Sequence, residues 1–337
     1  MDTSQPTGSV LCIGDMVADV FASAVPRLPQ PGEMLSTDRV AVFPGGNALN
    51  TAVALRRLGA DVAMVGSIGD DALADLLTAQ LRQIGLDLRG VRRQQGASTA
   101  ATVILRVEGE DRRYVHSLGA SGRFTGENVP DGLIPHSGVL FVGGYLKLAA
   151  WHDQALVGIL DLARGRHSQV VLNVSIPREG GVDLDRCLRL LPHVDVFVPN
   201  EDEARLLTGE TTPAAQARAL REAGAKSVVI TRGPEGLHAD DGSQVAEMGV
   251  FSVPVVDPSG CGDCFTAGLI MGLLQRWGWL RALEFASAVA ALGLTALGCT
   301  SGVPPLEEAL RFMDENEISM SLCPSGAPES QEGASCD

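Results

Sequence analysis

The segment Asp257-Pro-Ser-Gly-Cys-Gly-Asp-Cys-Phe-Thr-Ala-Gly268 holds the residue types from which an anion-binding turn and an acid–base centre can be built. It follows the apolar run Val253 to Val256 and leads into a helical pattern over Gly262 to Arg276. Gly260 and Gly262 let backbone N–H groups turn inward at the helix start, where those amides and the positive end of the helix dipole form an anion hole. Asp263 falls in the first helical turn, and a carboxylate beside a bound phosphate can accept the proton of an incoming hydroxyl. The same pattern also reads as a helix start with an acidic first turn and no ligand. Cys261 and Cys264 make a lone C-x-x-C, which is a poor zinc site without a second pair or a nearby His. Both thiols also read as small residues packed under the loop. No G-x-x-x-x-G-K-[ST] occurs and the protein-kinase signature set is absent, so any phosphate chemistry here runs without a P-loop.

Four further segments can supply a ligand. Pro44-Gly-Gly-Asn-Ala-Leu-Asn50 opens a helix; Gly46 permits close backbone approach, and Asn47 and Asn50 offer donors and acceptors suited to sugar hydroxyls. Gly14-Asp15-Met-Val-Ala-Asp19 follows the first strand, where Asp19 can grip two neighbouring hydroxyls or sit as a solvated turn acid, as can Asp15. Asn200 and Glu203 are one helical turn apart, so they suit Mg²⁺ met through water, and equally an N-cap with a capping-box Glu. Thr231-Arg-Gly-Pro-Glu-Gly236 ends another strand; its small residues Thr231, Gly233 and Gly236 can admit a nucleotide, and Arg232 can stabilise a transferring phosphate or be an ordinary surface residue.

These segments hang on a repeated strand–helix rhythm. Apolar runs at Val10 to Ile13, Val62 to Val65, Val139 to Val142, Val170 to Val174, Val194 to Val198 and Ser227 to Thr231 read as strands buried on both faces. Helical patterns alternate with them, at Ala48 to Leu58, Ala72 to Ile84, Asp153 to Ala163, from Glu201, at Ala214 to Ala223, and at Trp279 to Leu297. That alternation predicts an α/β fold with a mostly parallel sheet flanked by helices. Residues 18–43 and 98–117 break the rhythm. In the second, Thr99 to Leu105 and Arg113 to His116 flank the turn Glu108-Gly-Glu-Asp111, a hairpin signature, and both segments fit a small β-sheet lying over the core as a lid.

Composition narrows the classes. Apolar residues are 45% and aromatics 4%, so a large core must be mostly aliphatic. With 26 Lys and Arg against 41 Asp and Glu, the net charge is -15, which argues against nucleic acid and anionic membranes as partners. Seven widely spaced cysteines read as reduced thiols of a cytoplasmic protein rather than a disulfide framework. The first ten residues have neither the basic nor the apolar stretch of a signal peptide. The uncharged stretch Phe285 to Pro305 reads as a buried helix and loop, not a membrane span. Residues 1–318 read as a single domain, and the polar, Pro- and Gly-containing tail 319–337 as disordered.

In this order the segments resemble the PfkB-type carbohydrate kinases, the ribokinase-like family. Gly45-Gly-Asn-Ala-Leu-Asn50, continuing through Leu58-Gly59 to Val65-Gly66, is similar to that family's first signature, and Asp257 to Gly268 to its second; the likeness runs from about residue 10 to 315. The resemblance implies a doubly wound α/β core with a β-sheet lid that often serves as a homodimer surface. It implies ATP and Mg²⁺, and phosphorylation of a hydroxyl on a small sugar-like substrate. Asp263 matches the catalytic base, and Gly260, Cys261 and Gly262 the anion hole. Asn200 and Glu203 match an N-x-x-E motif that organises Mg²⁺ and phosphate, and Thr231, Gly233 and Gly236 the nucleotide turn. Asp19, Gly46, Asn47 and Asn50 match sugar-binding positions. Asp257 and Ser259, with backbone near 296–301, align with a loop for a monovalent cation, usually K⁺. Pro258 stands where Thr is usual and Cys261 where Ala is usual. Ribokinases proper often carry a Glu after the strand corresponding to Val139–Val142; here Gly143-Gly-Tyr145 follows with no acid, which counts against ribose as the expected substrate. Two other readings keep the same residues. The substrate is a nucleoside or a phosphorylated sugar, held by Arg106, Arg112, Arg113 or Arg123 if these are not plain surface charge, or the protein senses sugar or nucleotide without turnover.

Overall fold

Continuous apolar runs leave no polar face for solvent, and they become the inner strands of a sheet covered on both sides. The computed structural model describes residues 8–127, 129–177 and 181–325. In chain order the strands are β1 (Ser9–Gly14), β2 (Val17–Ala22), β3 (Val40–Gly45), β4 (Asp61–Ile68), β5 (Asp87–Arg93), β6 (Ala101–Leu105), β7 (Arg113–Ser117), β8 (Val139–Gly143), β9 (Gln169–Leu172), β10 (Val196–Phe197), β11 (Ser227–Thr231), β12 (Leu237–Asp240), β13 (Gln244–Met248) and β14 (Met320–Pro324). The helices are α1 (Asn47–Arg57), α2 (Ala72–Ile84), α3 (Asp153–Gly165), α4 (Asp185–Leu190), α5 (Glu201–Thr208), α6 (Pro213–Glu222), α7 (Cys261–Leu274), α8 (Trp279–Gly293) and α9 (Leu306–Glu315).

Ten strands form the main sheet in the order β14-β13-β12-β11-β10-β9-β8-β1-β4-β5. From β5 to β11 every pairing is parallel, and β12, β13 and β14 continue it antiparallel. Alternate residues feed two cores. Val10, Cys12, Phe141 and Val171 face α1, α7 and α8, while Leu11, Ile13, Leu140, Val142 and Leu172 face α3 and the Tyr145–Trp151 cluster. The chain runs from β1 outward to β4 and β5, then returns to β8 on the other side of β1. That reversal opens a crevice at the carboxyl ends of β1 and β8, where ligands bind in doubly wound sheets.

The lid is a separate four-stranded sheet, β3-β2-β6-β7. Its inward face places Phe21, Ile104 and Phe43 against Leu297 and Cys299. Its outward face carries Val42, Val20, Val103 and Val115 in one cross-strand row.

Two expectations are corrected. Residues from 319 onward were expected to be disordered, yet β14 pairs along β13 from Met248↔Met320 to Gln244↔Pro324. The backbone of β13 offers an open edge that any extended segment can complete, and composition does not register that. The rest of the expected tail, 326–337, lies outside the described residues, as do residues 1–7. The second correction is that α8 ends at Gly293 rather than Leu297. The Leu294 carbonyl there accepts the N–H groups of Val256 (2.8 Å) and Asp257 (3.1 Å), which turns the chain toward the glycine loop.

Candidate active site

The glycine loop turns sharply into α7. Gly260 caps that helix at φ 73°, a left-handed conformation, and a Cβ there would lie 2.4 Å from the Cys299 Cβ, so the turn requires glycine. The first turn of α7 then brings Asp263 against α1. Asn47 Nδ2 donates to Asp263 Oδ1 at 2.6 Å, and Asn50 Nδ2 donates to Asp263 Oδ2 at 2.8 Å. Burial pushes the Asp263 carboxyl up to about 8. The Asn50 and Asn47 hydrogen bonds pull it down, and the charges of Asp15 and Asp19 push it further up. A carboxyl poised near neutrality is the form a general base takes.

Asp263 faces a cavity of about 820 Å³ at the carboxyl ends of β1, β8, β9, β10 and β11. Asp15, Asp19, Gly46, Asn47 and Asn50 line one end of it; Asn200, Glu203 and Thr231 line the other; Ser259 to Asp263 lie between. A second, mostly apolar cavity of about 640 Å³ adjoins it, walled by Gly233, Gly236, Val250, Val253, Ala290 and Leu294. The two share Asn200, Thr231, Pro258, Cys261 and Gly262, so the glycine turn stands at their junction.

At the first end, three buried acceptors have no hydrogen-bond donor among the described residues: Asp15 Oδ2, Asn47 Oδ1 and Asn50 Oδ1. Asp15 Oδ1 accepts the Ala48 N–H at 3.1 Å, and its Oδ2 lies 3.5 Å from Lys147 Nζ. Gly144, at φ 69°, makes room for it, since a Cβ there would sit 2.8 Å from Asp15 Oδ1. Asp19 accepts from the Cys299 thiol at 3.6 Å. Burial raises its carboxyl to about 6, against the lowering hydrogen bonds of Thr102 and Cys299 and the charge of Lys147. At the other end, Asn200 and Glu203 form a reciprocal capping box on α5, each bond 2.9 Å, which is the helix-start reading of this pair. Burial lifts Glu203 to about 7.

Not every expected residue reaches the cleft. Arg232 lines neither cavity; its guanidinium is tied to Glu235 (2.6 Å) and Glu201 (3.4 Å), acids that flank the turn. Asp257 is fully buried beneath the loop rather than exposed in it, whereas Ser259 lines the larger cavity. Cys264 is buried and donates its thiol to the Cys299 carbonyl, while Cys261 stands at the cavity junction. Among the wall residues that had no signal in the sequence pattern are Lys147 and His116, while Cys299 lies in the 296–301 segment that was named for its backbone alone. The Gly143-Gly144 doublet after β8 was the nearest clue, since it marks where the chain passes close to Asp15.

The family model described as pfkB family carbohydrate kinase matches residues 7–306. The chain belongs to that family. It is a carbohydrate kinase by that membership, and the fold and signature segments agree with it. A ribokinase of Haemophilus influenzae is 28% identical over 309 residues, covering 90% of this chain and 97% of the other. Among solved structures, an Arabidopsis thaliana ribokinase complexed with ribose and ATP superposes with a TM-score of 0.76 at 22% identity, covering 91% of this chain and 99% of that one. A fructokinase of Xylella fastidiosa with bound ATP superposes at 0.78, also at 22% identity, covering 91% and 98%. These carbohydrate kinases share the doubly wound fold and differ in the sugar they are named for. Among the described residues, no helix is long and apolar enough to cross a membrane.

Proposed function

We propose that this protein transfers the γ-phosphoryl group of ATP to a hydroxyl of a small sugar-like substrate, with Asp263 as general base. The observation that carries the reading is the junction itself: an acid-lined cavity and a more apolar cavity meet at Cys261 and Gly262, with Asp263 in the acid-lined one. The apolar cavity suits an adenine base against Val250, Val253 and Leu294. Its phosphates then extend past Gly233 and Gly236 to the start of α7, where the amides of residues 260 to 263 and the helix dipole meet negative charge. The substrate hydroxyl lies between Asp263 and the phosphoryl group; Asp263 removes its proton as the oxygen attacks in line. Asp15, Asp19, Asn47 and Asn50 hold the remaining hydroxyls, and the orphaned acceptors of Asn47 and Asn50 call for donors of that kind.

Asn200 and Glu203 suit Mg²⁺ through water rather than as a cage. Bound there, Mg²⁺ supplies charge neutralisation on the phosphates. The substrate end favours a neutral sugar over a sugar phosphate. Its two nearest cations are already engaged, Lys147 with Asp15 and Arg112 with Ser259. The outward valine row of the lid suits a homodimer, and the six free thiols among the described residues suit a reducing cytoplasm.

A coupled ADP-release screen over sugars, nucleosides and sugar phosphates tests this. Turnover on a neutral sugar that falls by about 10²- to 10⁴-fold in Asp263→Asn is the expected result. Preferred turnover of a sugar phosphate or a nucleoside transfers the reading to that class. Ligand binding without ADP release across the panel overturns it.

A further inference from the structure

The loop 256–259 beneath the anion hole is where family resemblance puts a monovalent cation, and the side chains around it do not fit one. Asp257 is fully buried, and both its oxygens are engaged: Oδ1 accepts the Ser259 N–H and Oδ2 the Gly298 N–H, each at 3.0 Å. The Cys299 carbonyl accepts the Cys264 thiol, and the Leu294 carbonyl accepts two N–H groups. Each of these oxygens thus already accepts at least one protein donor. Two lid arginines complete the enclosure. Arg112 Nη1 donates to Ser259 Oγ at 2.8 Å and stands 3.9 Å from Asp257 Oδ1, while Arg106 Nη2 donates to the Val256 carbonyl at 3.0 Å. A K⁺ ion placed on Asp257 would share that carboxylate with a guanidinium of like charge.

We infer that the Arg112 guanidinium stands in the place of the monovalent cation, compensating the buried charge of Asp257 and, with the Arg106 bond to the Val256 carbonyl, tying the lid to the phosphate-binding turn. A buried carboxylate needs a counter-charge, and the donors of Arg112 are the cationic ones within ion-pair reach of Asp257 among the described residues. Asp257 in turn ties the loop before Gly260, at Ser259, to the facing segment at Gly298, so its compensation sets where the anion-hole amides point. Arg112 is a positioning residue in this scheme; it lies on the cleft wall but acts through Asp257 and Ser259. A further consequence is that the hairpin that covers the substrate also completes the phosphate site, so an open lid leaves the anion hole slack.

The inference rests on the proposed kinase reading only for its activity arm; a melting arm stands without it. Wild type and Arg112→Met are compared at about 0.1 M KCl and about 0.1 M choline chloride. Wild type is expected to melt at the same temperature in both salts, and to release ADP at the same rate. Arg112→Met is expected to melt several degrees lower in choline chloride and to recover in KCl. Its turnover should fall about 10- to 100-fold in choline chloride, the span for a group that orients a site, with K⁺ restoring most of it. Arg112→Lys, which keeps the charge, should remain indifferent to K⁺. The inference is overturned if K⁺ stimulates or stabilises wild type, if Arg112→Met loses nothing in choline chloride, or if its loss is not restored by K⁺. Should wild type release no ADP on any substrate, the kinase reading fails while the melting comparison still decides this one.

Discussion

The pH dependence of turnover follows from how Asp263 is held. Burial raises its carboxyl to about 8, so at pH 7 only about one free molecule in ten carries the base. With Asp263 as the proposed base, raising the pH deprotonates it and should create the active form. Therefore kcat/KM, which reports the free enzyme, should climb close to tenfold per pH unit below neutrality and level off above about 8. Asn50 and Asn47 donate to the carboxylate and favour its charged form, so Asn50→Ala should move the midpoint to higher pH, apart from any change in KM. Asp263→Asn should flatten the profile at a rate about 10²- to 10⁴-fold lower, equivalent to about 3–5 kcal/mol of barrier. Stability carries the opposite slope. A carboxyl raised above its unfolded value stabilises the fold fully below about 4 and loses that contribution as the pH rises through about 8. The melting temperature of Asp263→Asn relative to wild type should therefore increase across that window. The assay is coupled ADP release at subsaturating sugar, with the coupling enzymes checked at each pH. A profile flat from about pH 6 to 9, a midpoint near the ordinary carboxylate range of about 4, or a midpoint that Asn50→Ala moves downward would refute the reasoning.

Two glycines of one turn should separate stability from activity. Gly260→Ala meets the Cys299 Cβ at a positive φ and should cost about 1–3 kcal/mol by denaturant unfolding from backbone strain alone. An added Cβ at Gly262 meets no atom within 4 Å and points to open space at the cavity junction, so Gly262→Ala should leave unfolding unchanged or slightly improved while ATP turnover falls. Arg232→Ala should keep kcat within a factor of about two, since its guanidinium is bound by Glu201 and Glu235 away from the cleft; a larger loss returns Arg232 to the phosphate. Val103→Asp with Val115→Asp should shift a homodimer to monomer in light scattering without lowering the melting temperature of the core, because both side chains are exposed on the outer face of the lid. An unchanged dimer would move the interface elsewhere.

The parts of this protein that the sequence made legible are those with a strong local cause. Val10 to Ile13, Val139 to Val142 and Ser227 to Thr231 are apolar on both faces, and they are inner strands. Gly260 and Gly262 beside Asp263 form a turn that the local sequence signals by itself, although Asn47, Asn50 and Cys299 from elsewhere in the chain hold it in place. β5, β12, β13 and β14 were not legible because they mix charged and apolar residues near one edge or the other, where a neighbour's backbone supplies the pairing. The substrate end was half legible. Asp19, Asn47 and Asn50 sit in recognisable segments, but Asp15 becomes a site residue only because Gly144 lets it stand beside Lys147. Arg112 is the sharpest case. Read locally, it is one of several basic residues on a polar hairpin. It acquires a role only because the lid strands β6 and β7 fold over the core and carry it to Ser259 and Asp257, far away along the chain. Charges on a lid are paired by the closure of the fold rather than by their neighbours in sequence. A substitution at Arg112 should therefore be felt at the anion hole before it is felt in the lid, and the indifference to K⁺ inferred for the wild-type protein is a property of its lid.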